Sequence, residues 1–361
     1  MAEQHDPVAA SFLAPPHLTV APGYTARVLV PPGTLYDPLF PVPGDGEDIW
    51  LNDDGGEEGE GGGGLYRVRP DGTVTPLVPV GNMPPPTGID RAPHSFAPYT
   101  GQIFVLAQPK KGWAGATANH VILRVDPQTW AVHRFAELSS AGSRNEGVSG
   151  AGIDLLFGPD GTAFAGRLFA VTALNNAIYQ ITPDGQARPF VVMETARPRQ
   201  PVCLTFATVN GEGRMLVTTA NGNFSPRRLV EGFATVTQIT PDGQVLPEFF
   251  VEGLQVPSGL AFAPSGFGPY GGDLFIADIA GLVQMPVPKD KPLPRNGRIV
   301  RVDTAGTLHV FAEGFAMPLG LRFIHDRLIV CDVNGDYIGG GQELPDGFVV
   351  EIRAQASKNI A

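Results

Sequence analysis

Residues Pro257 to Gly314 read PSGLAFAPSGFGPYGGDLFIADIAG, then a polar loop, then NGRIVRVDTAGTLHVFAEG. The stretch spells four short strands in succession: GLAFA, DLFIADI, RIVRVD and TLHVFAEG. Alternating apolar residues bounded by Gly, Pro and Asp are the pattern of half-buried strands joined by turns, and the rest of the chain is built from copies of this unit.

The polar residue in the middle of each third strand serves as a ruler. Arg67, Arg124, Gln180, Gln238, Arg301 and Glu351 stand 57, 56, 58, 63 and 50 residues apart, giving six copies. The first five are followed by RPDG, VDPQ, TPDG, TPDG and VDTAG. Asp-Gly between apolar runs marks a hairpin, because Gly takes positive φ without steric cost and the Asp side chain bonds the turn backbone. Second strands recur as DIWLND, QIFVLA, RLFAVT, RMLVTT, DLFIAD and RLIVCD. First strands recur as TGIDRA, AGIDLL, VCLTFA, SGLAFA and LGLRFI, with PLFPV at Pro38 to Val42 as the first copy. A four-stranded antiparallel unit cannot bury both faces alone, so twisted copies stack radially. The expected fold is all-β: a six-bladed β-propeller of four-stranded antiparallel blades. The sixth copy ends at FVVEIRA without a fourth strand, and the isolated YTARVLV at Tyr24 to Val30 completes it. Pairing first and last residues closes the ring and removes free sheet edges. Residues 1–23 then form an N-terminal tail and 24–361 the propeller.

Composition agrees. The 361 residues include 46 Gly and 36 Pro, and no long stretch shows helical periodicity. A net charge of −11 repels nucleic acid and anionic membranes. Cys203 and Cys331 both sit in apolar strand-like runs, which implies buried thiols and no disulfide framework. The start MAEQHDPVAASF lacks a secretion signal and no run is long enough to span a membrane, so the expectation is a cytoplasmic protein acting on a small molecule.

The strand order, the PDG hairpins and phrases such as VPSGLAFAP, GGDLFIAD and NGRIVRVD resemble the six-bladed group of NHL-repeat, strictosidine-synthase-like and senescence-marker/gluconolactonase proteins. For the lactonase branch the resemblance implies a divalent cation at the top of the channel, held where first strands begin. The matching positions are Thr87, Ala151, Val202, Ser258 and Leu319, with Asp37 nearest in the first blade. Five of these six lack the carboxylate or amide oxygen that a hard cation prefers. SFAPYTGQIFVL and GFGPYGGDLFIAD also resemble segments of quinone-linked sugar and sorbosone dehydrogenases.

Candidate chemistry gathers in the connections from second to third strands, on one face of the ring. Asp332, Asn334, Asp336 and Glu343 stand at loop positions 1, 3, 5 and 12, a spacing that wraps Ca²⁺ or another divalent cation, although Tyr337 replaces the usual glycine. The alternative is that Asp332 caps its loop, as Asp278 does in the fifth copy. NDDGGEEGEGGGG gathers Asp53, Asp54, Glu57, Glu58 and Glu60. Its formal Gly59-x-Gly61-x-x-Gly64 precedes a strand, and its acids oppose a pyrophosphate. His120 enters a third strand where it could act as acid or base. Asp90 and Asp154, in two GID first strands, and Arg322 in GLRF read as an ion network that also lines the channel. Trp113 beside Lys110 and Lys111 offers an aromatic and cationic wall. The sequence holds no Gly-x-Ser-x-Gly elbow, Walker loop, His-Glu-x-x-His or Cys-x-x-Cys. These features lead to an enzyme on the top face of the channel, hydrolysing a lactone or ester with His120, Asp53 and Asp154 as catalytic candidates and Asp37, Asp332, Asn334, Asp336 and Glu343 as metal candidates. The alternatives are a non-catalytic ligand- or protein-binding propeller and a quinone-dependent dehydrogenase.

Overall fold

The computed structural model describes residues 11–55, 63–108, 120–138, 152–172, 176–193, 199–221, 234–279, 294–334 and 344–355. These residues form 25 strands in six sheets. Two strands precede the first blade: β1 (Thr19–Val20) and β2 (Tyr24–Leu35). Blade 1 is β3 (Pro38–Pro43), β4 (Ile49–Asp53), β5 (Gly63–Val68) and β6 (Val74–Met83). Blade 2 is β7 (Pro86–Arg91), β8 (Ile103–Ala107), β9 (Val121–Val125) and β10 (Val132–Glu137). Blade 3 is β11 (Gly152–Phe157), β12 (Leu168–Thr172), β13 (Ala177–Ile181) and β14 (Ala187–Val192). Blade 4 is β15 (Arg199–Val209), β16 (Glu212–Asn221), β17 (Ala234–Ile239) and β18 (Val245–Leu254). Blade 5 is β19 (Pro257–Phe262), β20 (Leu274–Asp278), β21 (Gly297–Val302) and β22 (Leu308–Phe315). Blade 6 is β23 (Pro318–Ile324), β24 (Arg327–Asp332) and β25 (Gly347–Ala354).

The ring closes as expected. β2 pairs antiparallel with β25, from Tyr24 opposite Ala354 to Leu35 opposite Gly347, and supplies the outer strand of blade 6. The segment before it is laid on the propeller from residue 11 onward. β1 extends blade 5 outward, with Thr19 opposite Glu313. Arg295 donates to Ala14 O at 2.6 Å, Asn334 donates to Phe12 O at 2.9 Å, and the Phe12 side chain is buried. Among the described residues no helix is long and apolar enough to cross a membrane.

The six inner strands β3, β7, β11, β15, β19 and β23 run side by side around the axis, each touching the next. Two features make that approach feasible. First, Gly88, Gly259 and Gly320 occupy one register position of their strands. A Cβ there would lie 2.6 Å from Leu155 N, 2.7 Å from Leu319 O and 1.6 Å from Leu39 O respectively, each on the next inner strand. Second, every blade is bonded to the next through a side chain. Asn52 Nδ2 donates to Pro86 O at 3.2 Å, Phe157 N to Asp90 Oδ2 at 2.7 Å and Leu204 N to Asp154 Oδ2 at 2.9 Å. Thr218 Oγ1 donates to Ser258 O at 2.9 Å, Ser258 Oγ to Pro318 O at 2.7 Å and Arg327 Nη2 to Glu47 O at 2.9 Å. Buried backbone groups that face a neighbouring blade instead of a ladder partner need such acceptors and donors.

The glycine requirement is directly testable. Gly320→Ala forces apart blades 6 and 1, and is expected to lose about 1–3 kcal/mol or more in urea unfolding. Gly213→Ala, whose Cβ would meet only Phe164 Cε2 at 3.7 Å, is expected to cost nothing. Equal stability of the two variants would show that the inner ring has slack.

Candidate functional site: the channel and its upper rim

The acidic residues at the ends of the second strands are engaged by backbone. Asp53 accepts from Tyr36 N, Asp37 N and Gly55 N at 3.0, 3.1 and 2.9 Å. Asp278 accepts from Gln255 N and Val256 N at 3.0 and 2.7 Å, and its other oxygen receives Arg298. Asp332 accepts from Ala316 N, Met317 N and Asn334 N at 2.9, 2.9 and 2.8 Å. In each case the carboxylate satisfies the linker that leads into its own first strand, at Pro38, Pro257 or Pro318, the residue paired with it. Blade 2 lacks the carboxylate because it lacks the need. Ala107 holds that place opposite Pro86, and the linker residues Pro84 and Pro85 have no N–H to donate. Burial raises the Asp53 carboxyl and pushes Asp332 to about 6, against the pull of these N–H groups.

Strand register also revises two expectations. The first-strand positions equivalent to Thr87, Val202, Ser258 and Leu319 are Leu39 in blade 1 and Ile153 in blade 3, not Asp37 and Ala151. Asp37 lies in the linker ahead of β3. Thr87 and Ser258 donate their hydroxyls to Leu106 O and to Ala277 O and Pro318 O. The described side chains of this tier, Leu39, Thr87, Val202, Ser258 and Leu319, are therefore apolar apart from two hydroxyls already spent on carbonyls, and this donor set does not fit the cation of the lactonase group. Among the described residues, no three His, Cys, Asp or Glu side chains gather as a metal centre would require. In the Ca²⁺-spaced loop, Asp332 and Asn334 serve the backbone as above, while Asp336 and Glu343 lie outside the described residues, as do Trp113, Lys110 and Lys111.

The second revision concerns the two GID strands. Asp90 pairs with Phe104 and Leu156 with Phe169, so Asp90 matches Leu156, and Asp154 falls where blade 2 has Gly88. The two carboxylates are thus offset by one side-chain step along the axis. Asp154 is fully buried: Oδ2 takes Leu204 N, and Oδ1 takes Leu155 N at 2.9 Å and Arg322 Nη2 at 2.6 Å. Blades 3 and 6 are opposite in a ring of six, so this ion pair crosses the channel. Arg322 also lies over the Phe40 ring at 5.1 Å and keeps 12% of its side chain exposed. Burial raises the Asp154 carboxyl while Arg322 pulls it down; for Arg322, the cost of burial is outweighed by the charges of Asp154 and Asp90.

Asp90 stands beside this bridge. It accepts Phe157 N through Oδ2 and Arg91 N at 2.8 Å through Oδ1, yet remains partly exposed to solvent. Burial pushes its carboxyl up to about 6, against the Phe157 hydrogen bond and the Arg322 charge. His120 immediately precedes β9 with 5% of its surface exposed, and burial lowers its imidazole to about 4. Asp53, His120 and Asp154 are each held in a different blade by separate contacts. Cys203 lies near Asp154 and Arg322, and burial raises its thiol.

Fold and site together define a six-bladed propeller with a charge-bridged channel. Similar solved structures include an α-L-arabinofuranosidase of Fusarium graminearum (TM-score 0.59, 10% identity, 91% of this chain and 98% of that one). A glucose dehydrogenase (TM-score 0.57, 14%, 92% and 100%) and the soluble aldose sugar dehydrogenase of Escherichia coli (TM-score 0.55, 12%, 92% and 100%) are also similar. No family model and no curated protein matches the sequence. At such identities the likeness is one of fold, and a glycosidase and two dehydrogenases already show that this fold carries different reactions.

Two predictions follow from the charges. Breaking the bridge from one side, by Asp154→Asn or Arg322→Met, is expected to cost about 3–5 kcal/mol because the remaining charge stays buried. The double variant is expected to recover part of that loss, so a denaturation cycle that is merely additive contradicts the pairing. For His120 the folded state keeps the ring neutral, while the unfolded chain protonates below its ordinary 6.5. Its contribution is complete above 6.5 and is lost as pH falls toward about 4, at up to about 1.4 kcal/mol per pH unit. His120→Gln is expected to flatten urea stability in that window.

Proposed function

We propose that the protein is a small-molecule hydrolase acting on a lactone or ester in the channel, with Asp90 as general base and Arg322 as the group that holds the carbonyl oxygen. The observation that carries this reading is the carboxyl of a partly exposed inner-strand residue, raised by burial to about 6, beside a guanidinium fixed by a second carboxylate. Two carboxyls whose surroundings assign them different tasks are the pattern of acid–base sites. Asp154 stays occupied with Arg322 and the backbone; Asp90 keeps lone pairs for a water.

In this reading Asp90 takes a proton from water as its oxygen adds to the carbonyl carbon. Arg322 N–H groups stabilise the oxygen that becomes negative. As the tetrahedral adduct collapses, the C–O bond to the leaving alkoxide breaks. The Asp90 carboxyl returns its proton to that oxygen, giving a hydroxy acid from a lactone or an acid and an alcohol from an ester. The lactone class is suggested by the sequence resemblance to the gluconolactonase group. No step passes through a metal, since the upper-tier residues do not fit one.

The test is a panel of γ- and δ-lactones and p-nitrophenyl esters with purified protein, with and without chelator. Turnover is expected to persist in chelator, with kcat/KM rising about tenfold per pH unit to a plateau above about 6. Asp90→Asn is expected to lower kcat/KM by about 10²–10⁴-fold in a protein that remains folded at the assay temperature, with a melting temperature lowered by the loss of one backbone acceptor. Absence of turnover across the panel, or a fully active Asp90→Asn, overturns the proposal and leaves a binding role.

A further inference from the structure

Three blade interfaces are filled by the same device. The connection from first to second strand of blades 2, 3 and 5 sends a phenylalanine, Phe96, Phe164 or Phe267, down between that blade and the next, and each ring is at most 1% exposed. Each of these rings meets a phenylalanine on the next blade's inner strand. Phe96 to Phe157 is 4.7 Å between centroids, Phe164 to Phe206 is 4.9 Å and Phe267 to Phe323 is 4.8 Å. A fourth-strand phenylalanine completes each socket: Phe135, Phe190 or Phe311, each at a β-bulge where register shifts.

The interface between blades 4 and 5 has the socket without the plug. Phe262, paired with Leu274, stands where Phe157, Phe206 and Phe323 stand, and Phe250 occupies the bulge between Phe249 and Val251. Blade 4, however, joins β15 to β16 by the tight turn Asn210-Gly211, both at positive φ (53° and 80°), and that turn carries no aromatic ring. A cavity of about 360 Å³ remains, walled by Phe250, Phe262, Leu274, Val302 and the hairpin turn from Asp303 to Gly306. Within the turn the Asp303 carboxylate is engaged: it accepts from Ala305 N and Thr307 N and meets His309 Nε2 at 2.8 Å.

We infer that this cavity is a binding site for a small monocyclic aromatic molecule, which takes the place held elsewhere in the ring by a phenylalanine side chain. The occupant is specified by the molecule itself, because three equivalent sockets show what such walls hold: one phenyl ring, tilted or edge-on to its neighbours. The site opens to solvent along the turn, and its inner walls Phe250, Phe262, Leu274 and Val302 offer a benzene-sized ligand apolar contact. The site lies between blades 4 and 5, away from the Asp90 and Arg322 side chains, so it stands or falls independently of the proposed hydrolysis.

The test uses the full chain and toluene as the probe. Methyl-labelled protein is titrated with toluene while the Leu274 and Val302 methyl resonances are followed. Saturable shifts at these two, with contacts from the toluene ring protons and a dissociation constant of about 0.1–1 mM, are expected. Toluene should also raise the melting temperature. A variant in which Asn210-Gly211 is replaced by the blade 3 segment Gly158 to Arg167, carrying its own phenylalanine, is expected to lose toluene binding. No saturable shift in the native chain, shifts confined to other methyls, or undiminished binding by a folded graft each overturn the inference. The native-chain shifts decide the matter even where the graft does not fold.

Discussion

The Asp154 to Arg322 pair crosses the channel at the point where six inner strands converge, and much of the molecule follows from that convergence. Inner strands in lateral contact leave no room for side chains at three positions, which are glycine, and little water at the others. A charge placed there cannot remain solitary in such surroundings. Blade 3 supplies the carboxylate and blade 6, opposite, supplies the guanidinium. The pair therefore links halves of the ring that share no hydrogen-bonded strand. Asp90, one step along the axis, is left with the solvent that the bridge does not exclude.

The upper rim shows one requirement met in two ways. The linkers entering the first strands of blades 1, 5 and 6 turn their last N–H groups toward the blade interior. Blades 1, 5 and 6 place Asp53, Asp278 and Asp332 beneath them as acceptors. Blade 2 removes the donors instead, with Pro84 and Pro85 where the others carry N–H groups. An aspartate at the end of a second strand and a proline pair in the linker are then alternatives, and either states that this backbone is buried. The same reasoning separates Asp90 from the rim acids: it too serves the backbone, but it does so on an inner strand in reach of water.

The architecture was legible because it is written six times. Strand spacing, Asp-Gly turns and the orphan strand at Tyr24 are periodic signals, and a ring has only one way to use a missing outer strand and a spare one. The site was less legible because its residues depend on register, which sequence similarity disguises. Asp90 and Asp154 both follow Gly-Ile, and they read as equivalent until pairing with Phe104 and Phe169 shows that the motif of blade 3 starts two residues earlier on its strand. Asp37 looked like the first-blade counterpart of Thr87 for the same reason. The linker N–H groups that occupy Asp53 and Asp332 show in the sequence only as the recurring aspartate at the end of second strands, which reads equally as a cap or as a cation ligand, and as the proline pair of blade 2.

Function in a repeat protein is best sought where the repeat is broken, because copies that obey the pattern are explained by folding alone. The rim aspartates recur and cap linkers. The loop phenylalanines recur and fill interfaces. Arg322 does not recur: the equivalent positions hold Val42, Leu156, Thr205 and Ala261 apart from Asp90 itself, so a cation and an acid have replaced apolar or small residues at one height of the ring. A purely structural bridge would need only Arg322 and Asp154. The second carboxylate sits on a partly exposed residue, and burial is the main reason its carboxyl is raised to about 6. In the proposed reading this second carboxylate takes the proton near neutral pH, in addition to joining blades 2 and 3 through Phe157 N.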